Sequence, residues 1–282
     1  MNVHKFLCIF ESFYLLFMQH HYTYQTYLIN MDRAKDRLQM MKVEFEKTGM
    51  NYERIQAVDA KELKGDEYLM RNQYDRNLVP GEIGCYLSHV KTMENFLKSD
   101  YDYAFIVEDD AILPENLKQI IEESLSQYKE LEEKYRWDVL KLNSRRRYIK
   151  IKDVKNTNHF IGVCGTSIPI TTIAAVWTRN AAEKFLSKTF VNNKVIIKRP
   201  IDCELQHPWE YDLMILNLLP SLIKGVPGIS QIQHDPSLRK AKLFRQIIYE
   251  LKRIIPKYNY YISNFGFKSF WESFVMKKTP KI

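Results

Sequence analysis

The sequence lacks the features that mark several protein classes. Its four cysteines (Cys8, Cys85, Cys164 and Cys203) form neither a Cys-x-x-Cys pair nor the Cys/His spacing of a zinc site. We therefore expect reduced, buried thiols, as in a cytoplasmic protein. No stretch rich in Gly, Pro or Ser divides the chain, and no internal repeat or low-complexity segment is found.

Long apolar runs are also missing. The most apolar segment is residues 1–25, but Glu11 interrupts it and no small-residue cleavage site follows. Because a membrane-spanning helix needs about 20 apolar residues, we predict no transmembrane helix here. A weak interfacial segment, or an over-extended start of the reading frame, explains this segment better.

Most of the chain has no excess of either charge. The formal net charge of +8 comes from Ser237–Ile282, where 11 Lys or Arg residues face only Glu250 and Glu272, so this tail carries +9 and the rest −1. A nearly neutral body argues against a nucleic-acid partner. In the tail, apolar residues recur at helical spacing from Leu243 to Ile254, which predicts a helix that either adsorbs to an anionic membrane surface or docks on the rest of the protein.

Apolar periodicity predicts strands that alternate with helices over about 140 residues. Thr26–Asn30 is expected to be a strand, followed by a helix that stops at Gly49, and Tyr103–Val107 a central parallel strand. Further strands are expected at 52–58, 137–142, 171–177 and 195–198, further helices at 80–97, 114–131, 180–188 and 211–219, and a loop or short helix at 61–79. This alternation predicts an α/β fold with an open, mostly parallel sheet flanked by helices.

Three consecutive carboxylates, Glu108, Asp109 and Asp110, follow the predicted central strand. Ligands of open parallel sheets bind beyond the carboxyl ends of the strands, and adjacent like charges require a cation. Mg²⁺ or Mn²⁺ bound to a diphosphate would supply it, with Asp110 as the first ligand and Glu108 on the same side of the chain. The alternative is an acidic, solvated turn, which seldom follows so apolar a strand.

Several segments in order resemble glycosyltransferase family 25, the bacterial lipooligosaccharide galactosyltransferases and their collagen-modifying relatives. The similarity covers roughly residues 26–235 and is carried by YLINMDRAKDR, ERIQAVDAKEL, PGEIGCYLSH, FIVEDDAIL, WDVLKL, AAVWTRNAAEKFL and RPID. It departs from the family at Val176-Trp177, which leaves the acceptor pocket open.

The resemblance implies a GT-A type fold and an inverting hexose transfer. The expected donor substrate is UDP-galactose, the cofactor is Mn²⁺ (or Mg²⁺), and the acceptor is a glycolipid or oligosaccharide of the lipopolysaccharide class. It divides the chain into an apolar segment at 1–25, a GT-A glycosyltransferase domain at 26–236 and a basic, aromatic, helical tail at 237–282. Such an enzyme is expected in the cytoplasm, at the inner face of the bacterial inner membrane.

The resemblance also assigns site residues. Asp202 in RPID is the implied catalytic base, with Glu204, Glu210 and Asp212 as open competitors that could instead be helix N-terminal charges. The implied donor-binding residues are Asn30, Asp32, Arg33, Glu82, Ser88, His89, Glu108 and Asp109. The implied metal ligands are Asp110, Glu108 and His234, the last of which could also be a solvent-facing loop histidine.

Several residues could have either a functional or a purely structural role. Arg33 and Arg37 could bind phosphate or be solvated helix charges, and His89 could be satisfied structurally. Gly81 and Gly84 are expected to permit close packing, and Arg145–Arg147 either meets phosphorylated glycans or is a basic loop. Two other functions also remain: a non-catalytic glycan-binding protein on a transferase fold and, less favoured, a nucleic-acid binder that uses the tail.

Overall fold

The computed structural model describes residues 22–65, 67–144, 147–164, 168–226 and 243–276. Within these ranges an eight-stranded sheet has the order β2-β1-β4-β9-β6-β12-β8-β7. Its strands are β1 (Tyr24–Asn30), β2 (Glu53–Gln56), β4 (Tyr103–Glu108), β6 (Val139–Lys141), β7 (Tyr148–Asp153), β8 (Phe160–Cys164), β9 (Ala174–Thr178) and β12 (Ile215–Leu219). Strands β8 and β9 run antiparallel to their neighbours, and the other six point in one direction.

Two small sheets complete the strand content of the described residues. Three strands pair in the order β10-β11-β3, and β13 pairs with β5. Their bounds are β3 (Tyr68–Met70), β5 (Ala111–Ile112), β10 (Phe190–Val191), β11 (Lys194–Ile197) and β13 (Lys224–Gly225). The β5–β13 pair begins directly after the acidic triplet.

Helices flank the main sheet. The α-helices are α1 (Lys35–Thr48), α2 (Pro80–Leu97), α3 (Leu117–Ser126), α4 (Arg179–Thr189), α5 (Ile201–Glu204), α6 (Pro208–Tyr211), α7 (Leu243–Phe265) and α8 (Phe267–Phe274). Helix α1 ends where Gly49 takes the left-handed conformation at φ 63°, as expected from its sequence position. Helix α2 begins at Pro80, and the Glu82 carboxylate accepts a hydrogen bond from the backbone N–H of Val79.

The continuous apolar runs of β1 and β4 follow from burial on both faces of the sheet. Leu28 and Phe105 belong to one core cluster, while Tyr27 and Ile106 belong to a second cluster on the other face. Because successive side chains point to opposite faces, a strand covered on both sides must be apolar at every position.

Three sequence expectations are wrong. Residues 211–219 were expected to be helical, but 215–219 form strand β12, whose residues are all buried between β6 and β8. A short apolar run has no periodicity that separates a buried strand from a helix. The loop at 61–79 contains β3, which gains its partner β11 from far along the chain, and the helix expected at 114–131 spans only 117–126 before two turns of 3₁₀-helix.

Helices α7 and α8 pack against the sheet domain. Tyr261, Phe265 and Phe270 belong to the same core cluster as Leu28 and Phe105. The Tyr260 hydroxyl donates to the carbonyl of Leu213 (3.1 Å) and accepts from the N–H of Ile215 (3.2 Å). Among the described residues, no helix combines the length and apolarity needed to cross a bilayer.

Candidate active site at the strand ends

A cavity of about 330 Å³ lies at the carboxyl ends of the parallel strands β1, β2 and β4. Its walls are the end of β1 with the start of α1, the loop 57–61 after β2, the first turns of α2, and the acidic triplet after β4. This is where ligands bind in open α/β sheets, and the volume lies within the usual range for small-molecule sites. The cavity is therefore the candidate active site.

Glu108 is held on the α2 side of the cavity. Its Oε1 atom lies 3.0 Å from His89 Nε2 and accepts a hydrogen bond from the Thr172 hydroxyl. Burial acts to raise the pKa of Glu108, but the hydrogen bond and charge of His89, together with Thr172 and Lys141, leave it below its ordinary value. Glu108 is thus kept as a carboxylate inside the protein.

Asp109 is held on the opposite side by β1 and α1. Its Oδ2 atom accepts from Asn30 Nδ2 (2.7 Å), and its Oδ1 atom from Arg37 Nη1 (2.6 Å). The Asn30 amide also donates to the carbonyl of Ala34 (3.2 Å) and accepts from Arg54 Nε (2.9 Å). Asn30 is buried, lines the cavity and positions Asp109, and its role as a direct donor ligand stays a prediction.

Asp110 differs from its two neighbours because its side chain is not neutralised. It lines the cavity, and its buried Oδ1 atom has no hydrogen-bond partner among the described residues. Burial and the charge of Glu108 raise the pKa of Asp110 to about 6, and Asp109 adds to the effect against the opposing charge of Arg37. A cation beside Asp110 would remove both the repulsion and the unsatisfied oxygen.

Cys85 joins the Glu108 network at the base of the cavity. Its Sγ atom lies 3.9 Å from Glu108 Oε1, and the ligand atoms of Cys85, His89 and Glu108 lie within 4.8 Å of one another. This spacing is compatible with a metal ion, although a thiol and an imidazole favour zinc over manganese. Burial and the charge of Glu108 raise the pKa of the Cys85 thiol well above its ordinary value, which keeps it protonated.

Ser88 joins α2 to the loop after β2. Its hydroxyl accepts from the N–H of Val58 (2.8 Å) and donates to the carbonyl of Gly84 (2.6 Å). At Gly84 a Cβ atom would lie 2.4 Å from the carbonyl oxygen of Val58, so the expected close packing at this glycine is confirmed. Ser88 lines the cavity, but its hydroxyl is occupied by the hydrogen bonds that hold the loop.

Two expected donor-binding residues lie apart from the cavity. Asp32 is exposed and pairs with Arg54 (2.6 Å) and Gln56, away from the cavity lining. Glu82 is buried and binds Arg76 through both carboxylate oxygens, at 2.6 and 2.8 Å. Since ion pairing and helix capping account for both carboxylates, neither geometry supports donor contact.

Arg33 and Arg37 both line the cavity but have different partners. Arg33 is exposed at the mouth and pairs with Asp59. Arg37 is largely buried against Asp109, so the alternative of a solvated helix charge does not hold for it. Arg37 lies in the first turn of α1, four residues after Arg33, which itself precedes the helix.

Asp202 lies within electrostatic reach of the acidic triplet. Its pKa is raised by burial, an effect opposed by the N–H of Cys203 and by the buried ammonium of Lys141. The charges of Asp202 and Glu108 each act on Cys85. The RPID segment and the acidic triplet are far apart in sequence but lie in one region of the folded protein.

The competing bases have other partners. Glu204 is fully buried and binds Arg199 (2.8 Å) and the Tyr211 hydroxyl (2.5 Å). Glu210 pairs with Arg199 (2.6 Å) and Lys198 (3.3 Å). Asp212 is 87% exposed at the surface and lies near Lys184. The ion pairs and exposure of these three carboxylates account for them without a catalytic role, and Asp202 stays the predicted base.

Three residues of this region were not predicted as functional. Lys141 is fully buried, and its Nζ atom donates to the carbonyl of Pro169 (2.5 Å). The Thr172 hydroxyl binds Glu108, and the Cys85 thiol lies beside the same carboxylate. Only Cys85 carried a sequence signal, because it precedes His89 by four residues on a predicted helix. His234, Arg145 and Arg146 lie outside the described residues, as does most of the 1–25 segment.

The sequence of this chain is similar to those of known proteins. A profile of glycosyltransferase family 25 (LPS biosynthesis protein) matches residues 23–203. A glycosyltransferase 25 family member of Drosophila pseudoobscura pseudoobscura is 32% identical over 94 residues, 30% of this chain and 15% of that protein. The lipooligosaccharide biosynthesis protein lic2B of Haemophilus influenzae is 28% identical over 134 residues, 46% of this chain and 49% of that protein.

These matches span half or less of each relative's own length. A solved glycosyltransferase involved in glycosylation of the major capsid of PBCV-1 aligns over 81% of this chain and 99% of that one, with 9% identity and a TM-score of 0.32, a similarity too low to support an argument. The family profile, by contrast, covers well over half of the chain, including the cavity, the acidic triplet and Asp202. The chain belongs to glycosyltransferase family 25.

Proposed function

We propose that this protein is a metal-dependent, inverting glycosyltransferase that moves galactose from UDP-galactose onto a hydroxyl of a lipooligosaccharide or lipopolysaccharide glycan. The observation that carries the proposal is the acidic triplet at the strand ends of a family 25 chain, in which one buried carboxylate oxygen of Asp110 has no hydrogen-bond partner within the part of the chain that the structure describes. The proposal includes a GT-A type arrangement of donor and metal, which the strand-end position of the cavity supports.

The residues of the cavity suit a hard divalent cation. Asp110 is the proposed principal ligand and Glu108 the second, since Mn²⁺ and Mg²⁺ prefer carboxylate oxygen and complete their shell with phosphate and water. When bound, such an ion stabilises the negative charge of a departing diphosphate. The predicted third ligand, His234, lies outside the described residues and stays a prediction.

The remaining charges of the cavity suit a nucleoside diphosphate. Arg33 and Lys61 are exposed cations at its wall, and Arg37 also lines it while paired with Asp109. Arginine and lysine both bind phosphate oxygens. The apolar walls from the loop 57–61 and α2 provide the surface against which a base and ribose would pack.

Asp202 is the proposed general base. A carboxylate whose pKa is raised by burial holds a proton better than a solvated one, which favours removal of the acceptor hydroxyl proton. The N–H of Cys203 and the charge of Lys141 oppose this rise and stabilise the carboxylate form that a base requires. Direct displacement assisted by one base would invert the configuration at the anomeric carbon.

The acceptor is proposed from the relatives' names. The family description refers to LPS biosynthesis, and the Haemophilus relative is named for lipooligosaccharide biosynthesis. Galactose is preferred on family grounds, and glucose and N-acetylgalactosamine are the alternatives that a panel of UDP-sugars would test.

The decisive measurement is calorimetric titration with UDP and Mn²⁺, followed by the UDP-sugar panel. We expect UDP to bind at least tenfold more tightly with Mn²⁺ than without it. In Asp110→Asn the manganese effect and the transfer activity should be lost while the far-UV circular dichroism spectrum stays unchanged, because only one negative charge is removed. Asp32→Asn is the matched control, since Asp32 lies away from the cavity and should keep both properties.

Two results would contradict this assignment. Near-wild-type turnover of Asp110→Asn would exclude Asp110 as a necessary ligand. Loss of manganese binding in Cys85→Ala, with binding retained in Asp110→Asn, would instead move the metal to the Cys85, His89 and Glu108 cluster.

We further propose that the enzyme works at the cytoplasmic face of the bacterial inner membrane, bound through α7 and α8. On the first half of α7, Leu243, Phe244, Ile247, Leu251, Ile254 and Ile255 are exposed. They lie on the face opposite the buried Tyr249, and Phe267 and Trp271 of α8 are exposed as well. An exposed apolar stripe on a basic tail is the pattern of helices that lie in an anionic membrane interface.

Sedimentation with lipid vesicles tests the membrane proposal. We expect binding to vesicles that contain phosphatidylglycerol and little binding to pure phosphatidylcholine. Leu251→Asp and Ile255→Asp, at positions 62% and 69% exposed, should abolish sedimentation because they place a negative charge on the apolar face. Val43→Asp on α1, at 49% exposure, is the matched control; equal loss in this variant, or none in the α7 variants, would contradict the proposal.

A further inference from the structure

A second cavity, of about 580 Å³, lies between α7 and the sheet domain. It is separate from the strand-end cavity and shares no lining residue with it. Three segments form it: the loop 72–77, residues 199–210 around α5 and α6, and residues 245–256 of α7. Its lining is rich in cations, amides and aromatic rings.

The cations of this cavity outnumber its anions. Arg199, Arg245, Lys252 and Arg253 line it, and Glu210 is the one carboxylate among the described lining residues. Arg199 is paired with Glu210 and Glu204, and Arg253 with Glu250 (3.3 Å). Among the described residues, no carboxylate pairs with Arg245 or Lys252, and Arg245 reaches only the amide oxygen of Asn77 (3.4 Å).

The cavity also contains a buried donor atom, Arg199 Nε, that lacks a partner among the described residues. Beside it the Tyr249 hydroxyl is hydrogen-bonded to the Arg253 side chain. Arg199 and Tyr249 are only 4% and 7% exposed. A buried donor without an acceptor is unfavourable, and an oxygen-rich ligand would satisfy it.

Aromatic rings and amides supply the rest of the surface. Tyr74 packs edge-on against Tyr249 (5.3 Å between ring centroids), and Trp209 is half-buried beside His207. Asn72 and Gln73 add donors and acceptors at the rim. Flat rings with neighbouring amides and cations can bind the apolar faces, the hydroxyls and a charged substituent of one sugar.

We propose that this cavity binds a sugar that carries an anionic substituent, either phosphate or carboxylate. The identification of that sugar as part of the acceptor rests on the proposed function, whereas its binding does not. The thiol of Cys203 donates to the Tyr74 hydroxyl (3.3 Å), so a lining residue of this cavity contacts the residue that follows Asp202. A charged acceptor unit held here would therefore be anchored beside the proposed base.

Binding is tested on the full chain without metal or nucleotide, so that the result does not depend on transfer activity. Calorimetry would use glucose 6-phosphate, glucuronate, glucose and inorganic phosphate as probes. We expect saturable binding of at least one anionic sugar, with glucose and inorganic phosphate each bound at least tenfold more weakly. The phosphate and carboxylate arms distinguish the two kinds of substituent.

Charge-removing variants connect this binding to the cavity. Arg245→Gln with Lys252→Gln should weaken the anionic sugar at least tenfold while manganese-assisted UDP binding stays unchanged. Lys268→Gln, an exposed cation on α8 away from the cavity, is the matched control and should bind like the wild type.

Three outcomes would overturn the assignment: no saturable binding of either anionic sugar, unchanged affinity in the double variant, or equal affinity for inorganic phosphate or glucose. Failure of manganese-assisted UDP binding alone would instead count against the proposed function and leave this site standing.

Discussion

At the scale of single residues, three adjacent carboxylates have three different environments. Glu108 is bound by His89 and Thr172, and Asp109 by Asn30 and Arg37, whereas Asp110 has a buried oxygen with no partner in the described ranges. The sequence shows only three equal negative charges. Partners recruited from β1, α1, α2 and the segment before β9 make them unequal, and this inequality identifies the position where a cation is needed.

Asp202→Asn should lower turnover by at least a hundredfold and leave UDP binding with Mn²⁺ within twofold of wild type. The amide cannot accept the acceptor proton, and general base catalysis typically contributes about 10²–10⁴-fold. Steady-state kinetics and calorimetry on the same preparation would measure both quantities. Asp212→Asn is the control, because Asp212 lies exposed at the surface; an unaffected rate in Asp202→Asn would assign the base elsewhere.

At the scale of elements, helix α2 organises the cavity through its backbone as much as its side chains. Its N-terminus is held by Glu82, its Gly84 contacts the loop after β2, its Ser88 hydrogen-bonds that loop, and its His89 contacts Glu108. The sequence resemblance singled out the same segment as donor-binding. In the structure the contacts of Glu82, Gly84 and Ser88 position the wall of the cavity, and the donor-binding role of Glu82 and Ser88 stays a prediction.

Gly84→Ala should therefore weaken nucleotide binding and destabilise the fold by about 1–3 kcal/mol, since the new Cβ atom would force helix and loop apart. Gly49→Ala is the comparison, because its left-handed conformation is strained by a side chain but no atom lies within 4 Å. It should cost about 1–2 kcal/mol without changing UDP affinity. Chemical denaturation and calorimetry would separate the two; equal UDP affinity in both variants would contradict the positioning role of Gly84.

At the scale of the whole molecule, the segment after β11 and helix α7 meet in one interface, where His207 and Trp209 contact Tyr249 and Tyr260. Within it His207 donates from Nδ1 to the carbonyl of Cys203 (2.9 Å) and packs against Trp209 and Tyr249. Burial and the charge of Arg199 lower the pKa of His207 to about 4 from 6.5. The imidazole is therefore neutral in the folded protein.

This neutral histidine predicts a loss of stability in mild acid. Because its folded pKa is lowered, the unfolded chain binds more protons between pH 6.5 and 4, so the stabilising contribution is complete above 6.5 and declines as the pH falls. The contribution lost between pH 7.5 and 5.0 should be about 2 kcal/mol. Urea unfolding at both pH values, compared with His207→Gln, would test this; an equal pH effect in both proteins would exclude His207 as the cause.

The sequence by itself determined the elements whose signals are local. Neighbouring residues alone predict the apolar strands β1 and β4, the end of α1 at Gly49 and the start of α2 at Pro80. They also predict the acidic triplet at a strand end. Only the tertiary structure decided that 215–219 is a strand, that Arg37 rather than Asp32 lies at the cavity, and that Lys141 and Thr172 belong to the site. Each of these depends on a partner distant along the chain, and pairing across such distances leaves no periodicity in the sequence.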